Sequence, residues 1–409
     1  MAIKTWRGGA AAVTQITTIT YSAYTSGETY TLTINSKDVT FLATVSTIAN
    51  VIAGLVAAIA ASAEPEFAEF SAVSNSGLVL TGNTAGNPFV ITSTATDSIT
   101  ATVTATQAST GPNFFNNADN WEGGSVPSAA DDLVFSGSAV SLEHALVDAT
   151  IYGNITIDST YSGNIGLPAD NVGGYREYRP RFLKLGDGSS AFSVIIGQGT
   201  GRQSNLIQID GNNATVNAAI YNTGNSTTSD FPVVIKNTDN SSVCDVFGGS
   251  VKFDADTSGA LSQLRVTPGQ GANGVQVEAS TTVACGTVTA AGGSLAIRGS
   301  ATLLKASDGA QVTLSNAATC PTVNVSSGAT VFWSSTAGIT TKAFVFHQGT
   351  LDFSLSASTK AVQACDLFYG GIVRDPIGIV TYTTSIVLQG AKLSEVQLDV
   401  GRGRTIGIS

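Results

Sequence analysis

The residues best suited to chemistry in this sequence are carboxylates. Glycan-cleaving enzymes place two Asp or Glu side chains on either side of the scissile bond. Asp352 stands between Leu351 and Phe353 in an alternating segment, so we expect it to point outward, with Asp366 as a neighbour one strand on. Outward carboxylates on a β-rich surface are usually a solvated face, and we therefore predict no catalytic residue. The carboxylates considered are Glu278, Asp352, Asp366, Asp375 and Asp399.

Other patterns that bind cofactors or metals are weak. Residues 195–202 form a Gly-rich segment after a strand, but no helix pattern follows to supply the N-terminus on which phosphate-binding loops depend. The two histidines, His144 and His347, occur without a Gly-x-Ser-x-Gly segment, so Ser-His-Asp catalysis has little support. Acidic turns do not recur as a calcium-binding array requires. The sequence predicts no cofactor and no metal.

Aromatic and arginine side chains are the remaining candidates for surface binding. Residues 175–181 interleave Arg176 and Arg179 with tyrosines, which suits nucleic acid or glycan but equally a packed loop or a subunit contact. A net charge of −10, with 19 Lys and Arg spread along the chain, argues against nucleic acid. Receptor binding would require outward aromatics clustered in a cleft. The possible surface-binding residues are Trp333, Tyr369, Arg176 and Arg179.

Composition indicates which elements must position these residues. In 409 residues, 43% are hydrophobic, 12% are charged and 44 are Gly, a balance that favours strands and turns over helices. The first residues lack the apolar core of a secretory signal, and no run approaches the length of a membrane span. We therefore expect a mainly β protein, made and folded in a cytoplasm, without a membrane span.

Residues 1–110 have the pattern of a small α+β domain. Segments 30–35 and 38–42 alternate as strands of a hairpin, and Ser46 is a plausible N-cap for an amphipathic helix that begins near Ile48. Three further strand patterns follow. Residues 111–130 then form a junction, in which we expect Trp121 to cap the open core of the next domain.

Internal repetition is the strongest signal in the sequence. A Gly followed by alternating apolar residues recurs at steps of 25, 19, 16, 19, 21 and 22 residues. A period near 20 with short strands is typical of coils that stack on their neighbours. Residues 131–409 are therefore predicted to form a parallel β-helix, or β-solenoid, right-handed by the usual crossover rule. The recurring glycines are Gly249, Gly274, Gly293, Gly309, Gly328, Gly349 and Gly371.

The four cysteines follow this repeat. Cys285 lies 11 residues after Gly274, Cys320 lies 11 residues after Gly309, and Leu304 holds that offset in the coil between them. All four are expected to share one phase of the repeat on alternate coils. Alternate coils lie roughly 10 Å apart, beyond the reach of a disulfide. We therefore predict four reduced, buried thiols: Cys244, Cys285, Cys320 and Cys365.

The whole chain resembles a group of bacteriophage and prophage virion proteins that start with a Lys-Thr-Trp segment. The matching segments are residues 4–6, 30–35, 65–69, 80–89 and 374–378. The resemblance implies a structural protein that projects from the virion as a tail fibre, spike or capsid decoration and is assembled in the host cytoplasm. It implies host attachment as a further role, with a host surface glycan as the possible ligand.

The same resemblance sets expectations for assembly. The N-terminal domain is expected to contact other virion proteins, and the solenoid to form a homotrimer by analogy with phage fibres. We expect no enzymatic activity. Two alternatives remain open at this point: a glycan depolymerase of the tailspike kind, and a cellular surface adhesin, which would need an export signal.

Overall fold

The computed structural model describes residues 2–199, 205–224, 231–269, 274–336, 340–401 and 406–409. It confirms a mainly β chain with a small N-terminal domain and a parallel β-solenoid of about 11 turns. The N-terminal elements in chain order are β1 (Ile3–Trp6), β2 (Ile16–Tyr21), β3 (Thr29–Ile34), β4 (Lys37–Leu42), α1 (Ile48–Ala61), the 3-10 helix Pro65–Glu69, β5 (Phe70–Ser74), β6 (Leu78–Gly82), β7 (Thr92–Ala95) and β8 (Ala101–Gln107).

Two small antiparallel sheets and one helix build the N-terminal domain. Strands β5-β6-β2-β8 form one sheet and β4-β3-β7 the other. The predicted hairpin is β3–β4, and its turn residues Asn35 and Ser36 both have positive φ, as a two-residue hairpin turn requires. Helix α1 buries Val51, Ile52 and Leu55, each worth roughly 1.5 to 3 kcal/mol.

The helix begins at Ile48 as expected, but its N-cap lies one residue later than its sequence indicated. Its N-cap is Thr47, whose side chain accepts a hydrogen bond from the backbone N–H of Asn50 at 3.2 Å. Ser46 instead accepts from the backbone of Ser26, in the loop before β3. The prediction of Ser46 as N-cap is therefore wrong, because adjacent Ser and Thr residues offer the same capping group.

In the part of the chain that the structure describes, the solenoid contains 25 strands after the N-terminal domain. The first half comprises β9 (Asp132–Phe135), β10 (Val147–Asp148), β11 (Asn154–Asp158), β12 (Leu183–Leu185), β13 (Phe192–Gln198), β14 (Ile207–Asp210), β15 (Val216–Ile220), β16 (Val233–Lys236), β17 (Val243–Val246), β18 (Ser250–Asp254), β19 (Gly259–Val266) and β20 (Gln276–Ala279). The second half comprises β21 (Val283–Ala291), β22 (Ser294–Ile297), β23 (Ser300–Ser307), β24 (Gln311–Leu314), β25 (Thr322–Val325), β26 (Thr330–Trp333), β27 (Thr340–Val345), β28 (Thr350–Asp352), β29 (Lys360–Leu367), β30 (Ile372–Arg374), β31 (Val380–Tyr382), β32 (Ile386–Leu388) and β33 (Gln397–Asp399).

Odd- and even-numbered strands separate into two parallel sheets. One sheet joins β1 and β32 to the odd strands from β9 to β31, and the other joins β33 to the even strands from β10 to β30. Residues 195–198 of the Gly-rich segment lie within β13, whereas residues 200–202 lie outside the described residues. One apolar core runs continuously through the coils, from Trp6 to Ile386.

The first strand of the chain belongs to the solenoid. Strand β1 pairs in parallel with β9, in a register that sets Ile3 beside Asp132 and Trp6 beside Phe135. Trp6 packs edge-on against Trp121, with 5.2 Å between ring centroids, and both indoles are buried. The indole N–H of Trp121 donates to the Phe115 carbonyl at 2.7 Å. Trp121 therefore covers the end of the solenoid core together with Trp6 of β1.

The longer strands of the odd-numbered sheet turn a corner. In β19, buried Leu261 and Leu264 are separated by Ser262 and Gln263, which both face outward. The same interval recurs in β21 between Cys285 and Val288. Each long strand therefore contributes apolar side chains to the core from both sides of a bend.

This bend separates the cysteines into two columns. Cys285 pairs with Ala301 before the corner, and Cys320 follows in that column. Cys244 pairs with Leu264 after the corner, and Cys365 lies further along this second column beside Ala343. The alternate-coil placement is confirmed, but the expectation of a single phase is wrong. All four thiols are free and buried.

Candidate functional site at the domain junction

A long connection of the solenoid reaches back to the N-terminal domain. Between β11 and β12 the chain leaves the coil and forms a small turn, closed by a bridge between Asp170 and Arg176. The end of this turn carries Tyr175, and the segment after it carries Tyr178 and Arg179, onto the N-terminal domain. The Arg- and Tyr-rich segment is therefore a packed loop, one of the interpretations that its sequence left open.

Arg179 is the centre of this contact. Its Nε and Nη2 donate to the two carboxylate oxygens of Glu177 at 2.7 and 2.9 Å. Its Nη1 donates to the side chain of Asn87 and, at 2.9 Å, to the carbonyl of Pro88 in the N-terminal domain. Nη2 also lies 3.4 Å from Glu69. Each guanidinium nitrogen thus has an acceptor, and the prediction of Arg179 as a surface-binding residue is wrong because its side chain is only 6% exposed.

Glu69 binds the connection from the other side of the junction. Its two carboxylate oxygens accept hydrogen bonds from the hydroxyls of Tyr175 and Tyr178. Burial is the largest cause that raises the pKa of both tyrosines, and the Glu69 carboxylate raises it further. Both hydroxyls therefore stay protonated and donate.

The charge of Glu177 is stabilised within this cluster. Burial alone would raise its pKa, but hydrogen bonds from Arg179 and Asn171 outweigh it and hold the pKa at about 2. Arg176, by contrast, is exposed and pairs with Asp170 at 3.3 Å on the surface. Its carbonyl accepts from Asn35 at 3.2 Å, so only its backbone contributes to the junction.

A cavity of about 580 Å³ lies beside this cluster, between the N-terminal domain and the first coils. Pro88 and Val90 line it from one domain, and His144 and Val147 from the other. A second cavity, of about 520 Å³, shares His144, Glu143 and Arg179 with the first. These three side chains therefore stand between two openings of the junction.

His144 is buried on the floor of this cavity. Its ring packs on Phe114 with 4.9 Å between centroids, and only 8% of the residue is exposed. Burial, followed by the positive charge of Arg179, lowers its pKa to about 4, so the imidazole is neutral at pH 7. Burial raises the pKa of the neighbouring Glu143, whose carboxylate accepts from Asn113 at 2.8 Å.

The carboxylates considered for catalysis do not converge. Asp352 and Asp366 lie in β28 and β29, which belong to different sheets. Asp352 stands between Phe332 and Arg374 in the outward register, yet it is only 4% exposed. The expectation that Asp366 neighbours Asp352 is wrong, because the strand one coil further on in the same sheet is β30.

The other three carboxylates have separate partners. Glu278 pairs with Arg298 at 2.9 Å, and Asp375 accepts from the backbone of Ile379 and Val380 at 2.9 Å each. Asp399 follows Arg374 in the register of β30 and β33. Within the described residues no group of three His, Cys, Asp or Glu side chains is placed to hold a metal ion.

Trp333 is not an outward aromatic. It is 1% exposed and stacks on Phe353 in the core, with 6.0 Å between ring centroids. Since Val331 also faces inward, the alternation of β26 leaves Phe332 as its outward aromatic. Tyr369 is 63% exposed in a turn, so the expected cleft formed by Trp333 and Tyr369 does not exist.

Sequence reasoning missed Glu69 and His144 as junction residues. Glu69 occurs in a segment that carries only the resemblance, and His144 has no sequence pattern around it that indicates either nucleophilic catalysis or metal binding. A lone carboxylate and a lone histidine carry no spacing signal, because their partners lie far away in the chain. The tyrosine- and arginine-rich segment 175–181 was the one sequence feature that indicated a contact, and it did not indicate which part of the chain it would contact.

No protein-family model, curated protein or solved structure gives a significant match to this chain. Among the described residues, the longest helix has 14 residues, and none is long and apolar enough to cross a membrane.

Proposed function

We propose that this chain is a structural component of a phage virion. In this proposal the β-solenoid projects from the particle as a fibre, spike or capsid decoration, and the N-terminal domain contacts other virion proteins. The role is mechanical: the stacked coils provide length and stiffness, and the junction fixes the direction in which they project.

One observation carries this proposal. Four of the five segments that resemble virion proteins contribute to the parts that join the two domains, whereas residues 374–378 begin in β30 of the solenoid. Residues 4–6 lie in β1, the first strand of the solenoid, while residues 65–69 contain Glu69 and residues 80–89 contain Asn87 and Pro88. A protein that must hold a rod at a fixed angle on a particle needs such a fastened junction.

The continuous core supports the same role. Each coil buries its apolar face only against neighbouring coils, so the stability of the array grows with its length. Glycan cleavage has no such support, because Asp352 and Asp366 lie on different sheets. No specific observation favours a cellular surface adhesin.

The test is cross-linking mass spectrometry on purified particles of the phage or prophage that encodes the chain. The expected result is the full-length chain in the particle fraction, with cross-links from residues 1–110 to another virion protein. The particle-free fraction of the same lysate is the control. Absence of the chain from the particles would overturn the proposal.

Assembly is tested separately on the purified chain. A homotrimer would have three times the chain mass of 41.5 kDa in light scattering. Host attachment is tested by binding of the purified chain to host cells, before and after enzymatic removal of their surface glycans. A monomer would overturn the trimeric form of the proposal, and equal binding to both cell samples would overturn glycan recognition.

A further inference from the structure

We propose that the edge strand β8 of the N-terminal domain is a self-association site, at which it pairs in antiparallel with β8 of a second copy of this chain. The two copies would thereby join their four-stranded sheets into one continuous sheet. This inference does not rest on the proposed role in a virion, because it concerns two copies of the purified chain.

Strand β8 lies at an open edge of its sheet. Among the described residues it hydrogen-bonds one strand, β2, and the nearby β7 pairs with β3 instead. Helix α1 packs against β3, β4, β5 and β6, and β5 forms the opposite edge of the sheet. This arrangement leaves residues 102–107 exposed, although Ile19 beside them in β2 is fully buried.

The sequence of this edge does not discourage a further strand. Edge strands of soluble proteins are commonly protected by charged residues or by Pro. In this chain, with a net charge of −10, residues 98–111 contain no Lys, Arg, Asp, Glu or Pro. Two copies can therefore approach along this segment without placing like charges opposite each other.

The backbone groups at the open edge are regularly spaced. Ser22 donates its backbone N–H to the carbonyl of Thr100 at 2.9 Å, so the even-numbered residues at this end of β8 bond β2. The N–H and C=O groups of Ala101, Val103 and Ala105 consequently point away from β2, toward the open edge. The pairing with β2 is regular across these residues, and its one irregularity follows Ala105.

The order of residues in β8 fits a second copy of the same strand. A two-fold contact between identical antiparallel strands requires a segment that matches its own reverse. Residues 102–106 read Thr-Val-Thr-Ala-Thr, which is nearly symmetrical about Thr104. With the two-fold axis at Thr104, Val103 of one copy lies opposite Ala105 of the other, and their free backbone groups bond each other. Threonine then lies opposite threonine at the axis and on either side of it, and such cross-strand pairs stabilise sheets.

This contact is small. A pair of seven-residue strands is short beside stable interfaces, which bury about 1,200 to 2,000 Å². We therefore expect a weak, reversible association that depends on protein concentration. A trimer formed through the solenoid would use a different surface, and pairing through β8 would double its mass as well.

The first experiment is sedimentation velocity of the full chain over a hundredfold range of concentration. We expect the mass to double with concentration, for a monomer from 41.5 kDa to twice that value. Thr104→Lys sets two like charges opposite each other at the axis and should prevent the doubling, as should Thr104→Glu. An equal mixture of the two variants should restore it, because Lys then lies opposite Glu.

Two results would contradict this pairing. A wild-type mass that does not change with concentration would overturn the second copy as the partner of β8. A mixture of the Lys and Glu variants no heavier than either variant alone would overturn the antiparallel register about Thr104. Because Thr104 is exposed, both variants should fold, and circular dichroism checks this.

Disulfide trapping locates the contact. Opposed residues of a non-hydrogen-bonded antiparallel pair have Cα atoms about 4.5 Å apart, within reach of a disulfide. Mild oxidation of Thr104→Cys should therefore give a covalent dimer on a non-reducing gel. The matched control is Val73→Cys, which is exposed on the opposite edge strand β5 and should not cross-link. The four native thiols are buried. Equal cross-linking at the two positions would overturn β8 as the site.

Discussion

Arg179 and Glu69 form an ion pair of 3.4 Å across the boundary between the solenoid and the N-terminal domain, with only 6% and 11% of their side chains exposed. Buried charges are costly unless they are paired and hydrogen-bonded. Here the guanidinium is also held by Glu177, and the Glu69 carboxylate by two tyrosine hydroxyls. The pair therefore belongs to a satisfied network that fastens one domain to the other.

Removal of Glu69 should loosen this junction. In Glu69→Ala the hydroxyls of Tyr175 and Tyr178 lose their acceptor and Arg179 loses one of its two carboxylates. We expect a loss of about 3 kcal/mol in the free energy of unfolding, measured with urea. Residues 159–182 should also become sensitive to limited proteolysis. The control is Glu122→Ala, which breaks an exposed pair with Arg7 and should change neither measurement.

His144 should make the protein less stable as the pH falls from about 6.5 to 4. Its pKa of about 4 in the fold lies below its ordinary value of 6.5, so the unfolded chain binds a proton in this range and the folded chain does not. Stability therefore increases with pH through this interval, by about 3 kcal/mol in total. Urea unfolding between pH 7 and 4 measures it. His144→Phe should lack this dependence, and an identical profile would refute the assignment.

Glu177 should add a second loss of stability at lower pH. Its pKa is held at about 2, below the ordinary 4.5, so its contribution is fully present above pH 4.5 and disappears as the pH falls toward 2. In Glu177→Gln the stability measured by urea unfolding should be lower at pH 7 and should decline less between pH 4.5 and 2. A variant as stable as the wild type at pH 7 would contradict this.

Trp333→Ala should destabilise the solenoid severely. The indole is 1% exposed and stacks on Phe353, so its removal leaves a large cavity that costs about 3 to 5 kcal/mol. Thermal unfolding measures the effect. Tyr369→Ala, at an exposed turn, is the control and should shift stability little. If the two substitutions had equal effects, the inward position of Trp333 would be wrong.

The four thiols should be unreactive in the folded protein. Burial raises the pKa of each cysteine to about 12, so the reactive thiolate is scarce at pH 8. A chromogenic disulfide reagent should label no thiol in the native chain and all four in urea. Labelling of even one cysteine before unfolding would mean that its coil opens readily.

The repeat was predictable because stacked coils require similar residues at similar intervals along the sequence. Each Gly mark precedes a strand whose apolar residues enter one core, so the even-numbered strands from β18 to β30 could be located from the sequence. The bend within β19 and β21 was not predictable in the same way. Two consecutive outward residues break a strict alternation by one position, and this shift moves Cys285 and Cys244 into different columns.

The junction was the least predictable part of the molecule. Its contacts join residues about 90 to 140 positions apart, such as Asn87 and Arg179 or Asn35 and Arg176. No local sequence pattern predicts such pairs, because each partner resembles an ordinary surface residue within its own segment. The prediction that Trp333 faces outward was wrong for a related reason. Val331, Phe332 and Trp333 are three adjacent large apolar residues, so the sequence does not show which face of the strand is buried.

The pairing of β1 with β9 sets the order in which parts of the chain can fold during synthesis. Ile3–Trp6 reaches its partner strand only after about 130 further residues have been made. At translation rates of about 5 to 20 residues per second, that interval is roughly 6 to 26 seconds. The N-terminal domain, whose core does not include β1, can fold during the wait. Strand β1 is thus made before the N-terminal domain but finds its partner only after that domain is complete, and a nascent chain released before residue 135 would expose Trp6 to chaperones and proteases.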